Sequence, residues 1–169
     1  MSCSQCTSSN GTPRGCKSNG TIGTYSCNKL TVFDWLANMQ LPSGHTPQPY
    51  VEVRFKNSRK QFCRYEEGLS PSVGNMVITE ENHGYDVGMV TLAGPLVALQ
   101  MKRKKKLANP DSIGTILRLA NDQELEIWET ARKREAAVQK QAREIALRLG
   151  LEMKLSDVEF QGDGKKATF

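Results

Sequence analysis

Four of the five cysteines in this 169-residue chain lie within its first 27 residues, at a spacing that suits a metal site. The pattern is C-x2-C-x9-C-x10-C, formed by Cys3, Cys6, Cys16 and Cys27. Two cysteines separated by two residues, as in Cys3 and Cys6, commonly form the knuckle of a tetrahedral sulfur site. Glycines between the cysteines allow the backbone to turn around an ion without strain. The spacing therefore predicts an N-terminal, cysteine-rich metal-binding knuckle.

The same segment leaves the identity of the metal open. It has almost no aliphatic residues, so ligation rather than burial would have to order it. Zinc and an iron–sulfur cluster both accept four cysteine ligands. A disordered tail with reactive thiols is the second interpretation. A pair of disulfides fits less well, because the cysteine count is odd and a chain without a secretory signal is expected in the cytoplasm, where thiols stay reduced.

A second group with chemical potential is a run of five consecutive cations, which we call the basic block. It consists of Lys102, Arg103, Lys104, Lys105 and Lys106. Such a run repels itself, so it is expected to stay extended as a linker between folded units. It could equally contact nucleic acid phosphates, although no aromatic residues are interleaved for base stacking. Both interpretations stay open.

A third group is the apolar segment Thr31–Met39, which follows the last N-terminal cysteine. Thr31 can cap a helix over residues 32–38, and a helix this short must pack on its own sheet or on a partner. Exposed aromatic residues in such a helix would form an apolar patch. We therefore expect Phe33, Trp35 and Leu36 to dock a partner, with docking on the chain's own sheet as the alternative.

Motifs of catalysis are not found in the sequence. There is no phosphate-binding glycine loop, no nucleophile elbow and no HExxH. The two histidines are His45, in a proline-rich linker, and His83, in a predicted turn, and neither has an oriented partner. No stretch is apolar enough for a membrane helix. We expect a protein that is not an enzyme and does not insert into a membrane.

Hydrophobic periodicity indicates an α+β fold. Residues 50–93 alternate as two hairpins, which predicts a small antiparallel sheet or partial barrel. In the first strand Val51, Val53 and Phe55 share one face, with Glu52 and Arg54 on the other, and Cys63 reads as a small buried hydrophobe.

A β-α-β-β unit follows in the pattern. It begins with a strand, GTILRLA, and continues as a helix from Asn121, with Glu124 completing a capping box, to a Gly150 cap. Apolar residues then predict a bulged strand over Leu151–Phe160 and a QGDG turn into a return strand. The expected units are a cysteine-rich segment (1–28), a docking helix and linker (29–49), a β domain (50–93), a basic linker (94–111) and an α/β domain (112–169), the last expected to be truncated.

The last twenty residues, GLEMKLSDVEFQGDGKKATF, resemble the signature of the RicT/YaaT family, whose members carry the so-called PSP-one C-terminal domain. The features shared with the family are a glycine, a leucine and an acidic residue in sequence, followed by Met-Lys-Leu. A strand with Val, Glu and an aromatic residue comes next, and then a short turn and a lysine-rich return strand. The hairpin VGNMVITEENHGYDVGMV and the helix from Asn121 to Gly150 also match in position, so the similarity extends from Tyr50 to Phe169. The N-terminal cysteine segment is an addition that resembles the Bacteroidetes branch, so its metal role rests on spacing alone.

The resemblance implies a non-enzymatic regulatory or adaptor subunit of a Y-complex-like assembly, which assists RNase Y in maturing messenger RNA. Its implied partners are the small Y-complex subunits and RNase Y, in a hetero-complex associated with iron–sulfur clusters. Two alternatives stay beside it. One is a module that binds RNA or DNA directly through the basic block and the basic helix face, and the other is a structural zinc-binding subunit of a larger assembly.

Overall fold

The computed structural model describes residues 34–36, 48–104 and 112–169. Its strands are β1 Tyr50–Arg54, β2 Lys60–Arg64, β3 Met76–Glu81, β4 Gly84–Leu92, β5 Gly114–Leu119, β6 Glu159–Phe160 and β7 Ala167–Thr168. Its α-helices are α1 Pro95–Arg103 and α2 Asp122–Arg148, and a 3-10 turn, Lys56–Ser58, joins β1 to β2. The fold is α+β, as predicted. Neither of these helices is long and apolar enough to cross a membrane.

The first five strands form a closed barrel in the order β1-β2-β5-β3-β4, with β4 pairing back onto β1. The neighbours are antiparallel except β2 and β5, which are parallel. Closure removes the two unpaired edges that an open four-stranded sheet would expose. The strand that completes the barrel, β5, comes from the expected 112–169 unit, so the predicted β domain and α/β domain share one barrel.

The barrel interior follows the predicted alternation. Val51, Val53 and Phe55 lie in it with Cys63, and Val77, Val90 and Ile116 complete the cluster. Glu52 and Arg54, which lie on the other face of β1, are buried as well. Glu52 lies in register with Phe62 of β2 and Leu92 of β4, on an outer face of the barrel that α1 covers.

Helix α1 replaces the first half of the expected basic linker (94–111). Pro95 begins the helix, where its missing N–H costs nothing. Leu96, Val97 and Met101 are buried against Phe62 and Leu92, which lie on the outer face of the barrel. Burial of these side chains outweighs the self-repulsion of the basic block, whose first residues occupy the last turn of the helix. Cations there are favourable because the helix end carries a partial negative charge.

Helix α2 has the ends that the sequence predicts. The Asn121 side chain accepts from the Glu124 N–H at 2.8 Å, and the Glu124 carboxylate accepts from the Asn121 N–H at 3.0 Å. At the other end Gly150 has a φ of 65°, and the Leu151 N–H donates to the Ala146 carbonyl at 3.0 Å. These contacts are a capping box and a Schellman motif, which fix the length of the helix.

The chain then runs back along α2. The expected strand over Leu151–Phe160 is mostly not a strand: residues 151–158 have no strand partner, and pairing begins at Glu159. The QGDG turn does join β6 to β7, as predicted. Val158 and Phe160 pack on Ala131 of α2, in an apolar cluster separate from that of the barrel. In this segment, packing on a helix takes the place of strand pairing. The alternating sequence pattern cannot distinguish between these two arrangements.

Candidate interaction surface

The predicted metal ligands Cys3, Cys6, Cys16 and Cys27 lie outside the described residues, so the metal site stays a prediction. Within residues 34–36, 48–104 and 112–169, no group of three or more His, Cys, Asp or Glu side chains is arranged to hold a metal ion. The fifth cysteine, Cys63, is fully buried in the barrel. Burial raises the pKa of its thiol to about 12, so this residue packs as a small hydrophobe, as predicted.

The basic block is divided between the helix and the part of the chain that follows it. Lys102 and Arg103 are exposed in the last turn of α1, Lys104 caps it, and Lys105 and Lys106 lie outside the described residues. The Lys104 ammonium lies 3.4 Å from the Glu52 carboxylate and over the ring of Phe62 at 5.2 Å. One cation of the block therefore also stabilises a buried charge, a role that the linker interpretation missed.

The predicted docking segment is described only at residues 34–36, and Phe33 lies outside them. Asp34–Leu36 form a turn in which the Leu36 N–H donates to Asp34 Oδ1 at 3.0 Å. Leu36 packs on the apolar cluster beneath α1, whereas Trp35 is 57% exposed. Leu36 thus contacts its own chain, which was the alternative to a partner, and docking of a partner by Trp35 stays a prediction.

Among the described residues, exposed large apolar residues are most closely spaced in sequence at the C-terminal end of α2 and just beyond it. These side chains are between 44% and 80% exposed and lie within nine residues of sequence. We call this group of residues the apolar patch, and it consists of Ile145, Leu147, Leu149, Leu151 and Met153, of which Ile145 and Leu149 share one helix face. Exposed apolar side chains grouped in this way commonly mark an interaction site.

The sequence pattern placed part of this patch inside the protein. Ile145 and Leu149 continue the helical spacing of the apolar stripe that packs at Ala131 and Val138, so both were expected to be buried. In the structure the last buried residue of α2 is Ala146. The 27 residues of α2 extend roughly 40 Å, and in its final turn Ala146 is buried while Ile145 and Leu147 are exposed. Periodicity identifies the apolar stripe on α2, but it does not show how far along the helix other parts of the protein cover that stripe.

The patch is held in place by the returning chain. Arg143 Nε donates to the Leu155 carbonyl at 2.9 Å, and Gln139 Nε2 donates to the Ser156 carbonyl at 2.6 Å. Together with the Schellman motif at Gly150, these bonds fix residues 151–156 beside the end of the helix. The patch therefore belongs to a defined surface on a rigid element.

Polar contacts join α2 and the segment after it to the barrel, and we call them the seam. The Lys56 ammonium lies 2.9 Å from carboxylate oxygens of Glu135 and of Asp157, and it also donates to the Val158 carbonyl. The side chains of Lys56 and Glu135 are about nine-tenths buried. Asn57, which has a φ of 55°, donates to Asp157. The 3-10 turn between β1 and β2 thus places its cation between two carboxylates of the C-terminal region.

A second part of the seam surrounds Asp86. Its carboxylate accepts from Arg59 at 2.8 Å, from the Gly162 N–H at 3.0 Å and from the Val87 N–H at 2.8 Å. Arg59 also lies 3.4 Å from Glu159, whose pKa is raised, chiefly by burial. Arg59, Asp86 and Glu159 line a cleft of about 300 Å³ together with Glu81 and Lys166. The bonds to Asp86 orient the hairpin on the barrel, which is a positioning role.

The comparisons with known proteins bear on the part of the chain that carries α2, the patch and the hairpin. No curated protein and no solved structure matches the chain. Residues 114–169 match the family model described as the PSP1 C-terminal conserved region. The match supports the predicted resemblance at the level of the PSP1 domain, and it assigns β5, α2, the apolar patch and the β6–β7 hairpin to that conserved region.

Proposed function

We propose that this chain is a non-enzymatic adaptor that docks a protein partner on the apolar patch at the end of α2. The observation that carries the proposal is the exposure of five large apolar side chains on a helix end that is fixed by hydrogen bonds. Exposing such a surface to water is unfavourable unless a partner covers it. The matched PSP1 region contains the whole patch.

The surroundings of the patch have the composition of a protein interface. Apolar side chains form its centre, and charged residues of both signs adjoin it in sequence, namely Arg148, Glu152 and Lys154. Protein–protein interfaces commonly have such an apolar core and polar rim. A surface that bound nucleic acid phosphates would instead be built mainly of cations, not of exposed apolar side chains. The patch therefore favours a protein partner.

The resemblance to the RicT/YaaT family suggests what that partner is. In this proposal the chain is the regulatory subunit of a Y-complex-like assembly that assists RNase Y in maturing messenger RNA. The small Y-complex subunits would cover the patch. This part of the proposal rests on the resemblance, with the PSP1 match as its support.

The test compares binding of the purified small partner subunits by wild-type protein and by a Leu147→Gln/Leu149→Gln variant. Leu147 is 80% exposed, so the fold should tolerate the change. Truncation of interface anchors commonly costs at least about 2 kcal/mol, which corresponds to a loss of affinity of more than about tenfold. Leu99→Gln is the matched control, because Leu99 is 50% exposed on α1. Equal affinity of the wild-type protein and the double variant would overturn the proposal.

A further inference from the structure

An exposed tryptophan lies beside the apolar cluster beneath α1, and it is not part of the apolar patch. Trp35 is 57% exposed, and its neighbour Leu36 packs on that cluster together with the partly buried Tyr50. The Asp34 carboxylate accepts from the Leu36 N–H at 3.0 Å, which closes the turn around Trp35. Trp35 is therefore open to a ligand on a turn that its next residue anchors to the barrel.

Unpaired cations lie around the same cluster. Phe62 belongs to it, and Arg64 lies on the same face of β2, because side chains two residues apart point to one side of a strand. Arg64 is exposed, as are Lys102 and Arg103, which follow the buried Met101 in the last turn of α1. None of these three cations forms an ion pair with an acidic side chain that the structure describes, and neither β2 nor α1 contains an acidic residue.

The fold supplies the basic block with an aromatic residue that the sequence around it lacks. Trp35 and Lys102 are far apart in the chain, but their neighbours Leu36 and Met101 belong to the same apolar assembly. Cations bind the phosphates of nucleic acids, and aromatic rings stack on unpaired bases. The net charge of the whole chain, +5, also favours a polyanionic ligand.

We propose that this surface binds single-stranded nucleic acid, with a base stacked on Trp35 and the backbone phosphates held by Arg64, Lys102 and Arg103. Charge complementarity selects this occupant, because the three cations have no acidic partner among the described residues. In a duplex the faces of the bases are covered by their neighbours, so Trp35 could stack only on a base that is unpaired. The surface therefore distinguishes a single strand from a duplex.

The first test compares a single strand with a duplex. The probes are a fluorescent RNA strand of about 12 nucleotides, within the site sizes of single-strand-binding barrel domains, and its duplex with the complementary strand. Binding to the full chain is followed by anisotropy over a range of salt concentrations. We expect the single strand to bind more tightly, although the duplex has more phosphates. Binding of the duplex that is as tight or tighter would overturn the proposal.

Substitutions of Trp35 test stacking. Trp35→Ala should lower the affinity about tenfold, as for the loss of one stacked base, without changing the salt dependence, because indole has no charge. Trp35→Phe should retain most of the affinity, whereas Trp35→Leu, which is apolar but has no aromatic ring, should bind as Trp35→Ala does. Circular dichroism verifies the fold of each variant. If Trp35→Leu binds as tightly as Trp35→Phe, there is no stacking and the proposal is wrong.

The double variant Lys102→Gln/Arg103→Gln tests the phosphate contacts. The slope of log K against log salt should decrease by about 0.7 for each phosphate contact that is lost. The matched control is Lys133→Gln/Lys140→Gln, which removes two exposed cations of α2 that each lie 3.9 Å from a glutamate. Equal affinities and slopes in the two double variants would overturn the proposal. All of these variants retain the apolar patch, so the outcome is independent of whether the patch binds a protein.

Discussion

Replacing Lys56 by Met should separate the C-terminal region from the barrel more effectively than any surface change. The Lys56 ammonium is the cation shared by Glu135 and Asp157, and it comes from the 3-10 turn of the barrel. The methionine side chain keeps most of the volume but removes the charge. Two carboxylates then face each other without their cation, which is the costly way to break a buried ion pair.

The size of the loss in the free energy of unfolding follows from how deeply these side chains are buried. Removing one partner of a fully buried pair costs about 3–5 kcal/mol. The Asp157 side chain is 29% exposed and can regain water, so we expect the lower end of that range, about 3 kcal/mol. At about 4 °C per kcal/mol, the melting temperature should fall by about 12 °C. Lys133→Met, which removes an exposed cation beside Glu129, should change the free energy of unfolding by less than about 0.5 kcal/mol.

The assay is urea unfolding of the wild-type and variant proteins. Unfolding is monitored by the helical circular dichroism signal, to which the long helix α2 contributes most of the helical residues. A double variant, Lys56→Met with Glu135→Gln, should be more stable than the sum of the single changes predicts. The glutamine retains an acceptor for the Phe160 N–H, which Glu135 Oε1 binds at 3.1 Å. If Lys56→Met costs no more than Lys133→Met, the seam does not hold the two parts together and the reasoning is refuted.

The cost of the same substitution should become smaller in acid. Burial alone would raise the pKa of Asp157, but hydrogen bonds from Asn57 and Lys56 lower it below its usual value. A carboxyl group with a lowered pKa stabilises the fold above its unfolded pKa of about 3.9, and this stabilisation is lost as pH falls through the folded pKa. Without Lys56 this stabilisation is absent at every pH, so the difference in the free energy of unfolding between wild type and Lys56→Met should shrink as pH falls through the folded pKa of Asp157; urea unfolding at several pH values measures it.

Three further predictions concern other parts of the chain. Gly162→Ala should destabilise docking of the hairpin, because the added Cβ would lie 2.6 Å from the Val87 nitrogen; a melting temperature equal to that of wild type would contradict this close approach. Cys63 should resist alkylation until urea unfolds the barrel, because burial raises its pKa to about 12; mass spectrometry of the labelled peptide measures this, and rapid labelling of the native protein would refute it. Cys6→Ser should lower the metal content of anaerobically purified protein, and equal metal content in variant and wild type would refute the metal-binding knuckle.

Local features of the fold were predictable from the sequence. The capping box of Asn121 and Glu124, the left-handed Gly150 and the hairpin turn before Gly84 depend on residues that are close in the chain. Their side chains and backbone preferences decide the structure with little help from the rest of the molecule. The same holds for the alternation that places Val53 in the barrel.

Features that depend on distant residues were not predictable. β5 pairs with β2 although the residues in register, Gly114 and Cys63, are far apart in sequence. Glu52 reads as a solvent residue by alternation, and only the path of α1 shows that it is covered. The apolar patch was missed for the converse reason, since the pattern of α2 continues to Leu149 after its cover has ended. Periodicity reports which residues are apolar, and tertiary contacts decide which of them are buried.

The limits of the conserved region and of the folded unit do not coincide. The PSP1 match begins at Gly114, the first residue of β5, so it includes one strand of a barrel whose other four strands precede it. Cut at that point, β5 would lose its pairing with β2 and β3, and both edges of the strand would be exposed. Glu135 and Asp157 would also lose Lys56, which lies on the other side of the cut. The barrel residues therefore act as the support that holds the conserved region, and with it the apolar patch, in its folded form.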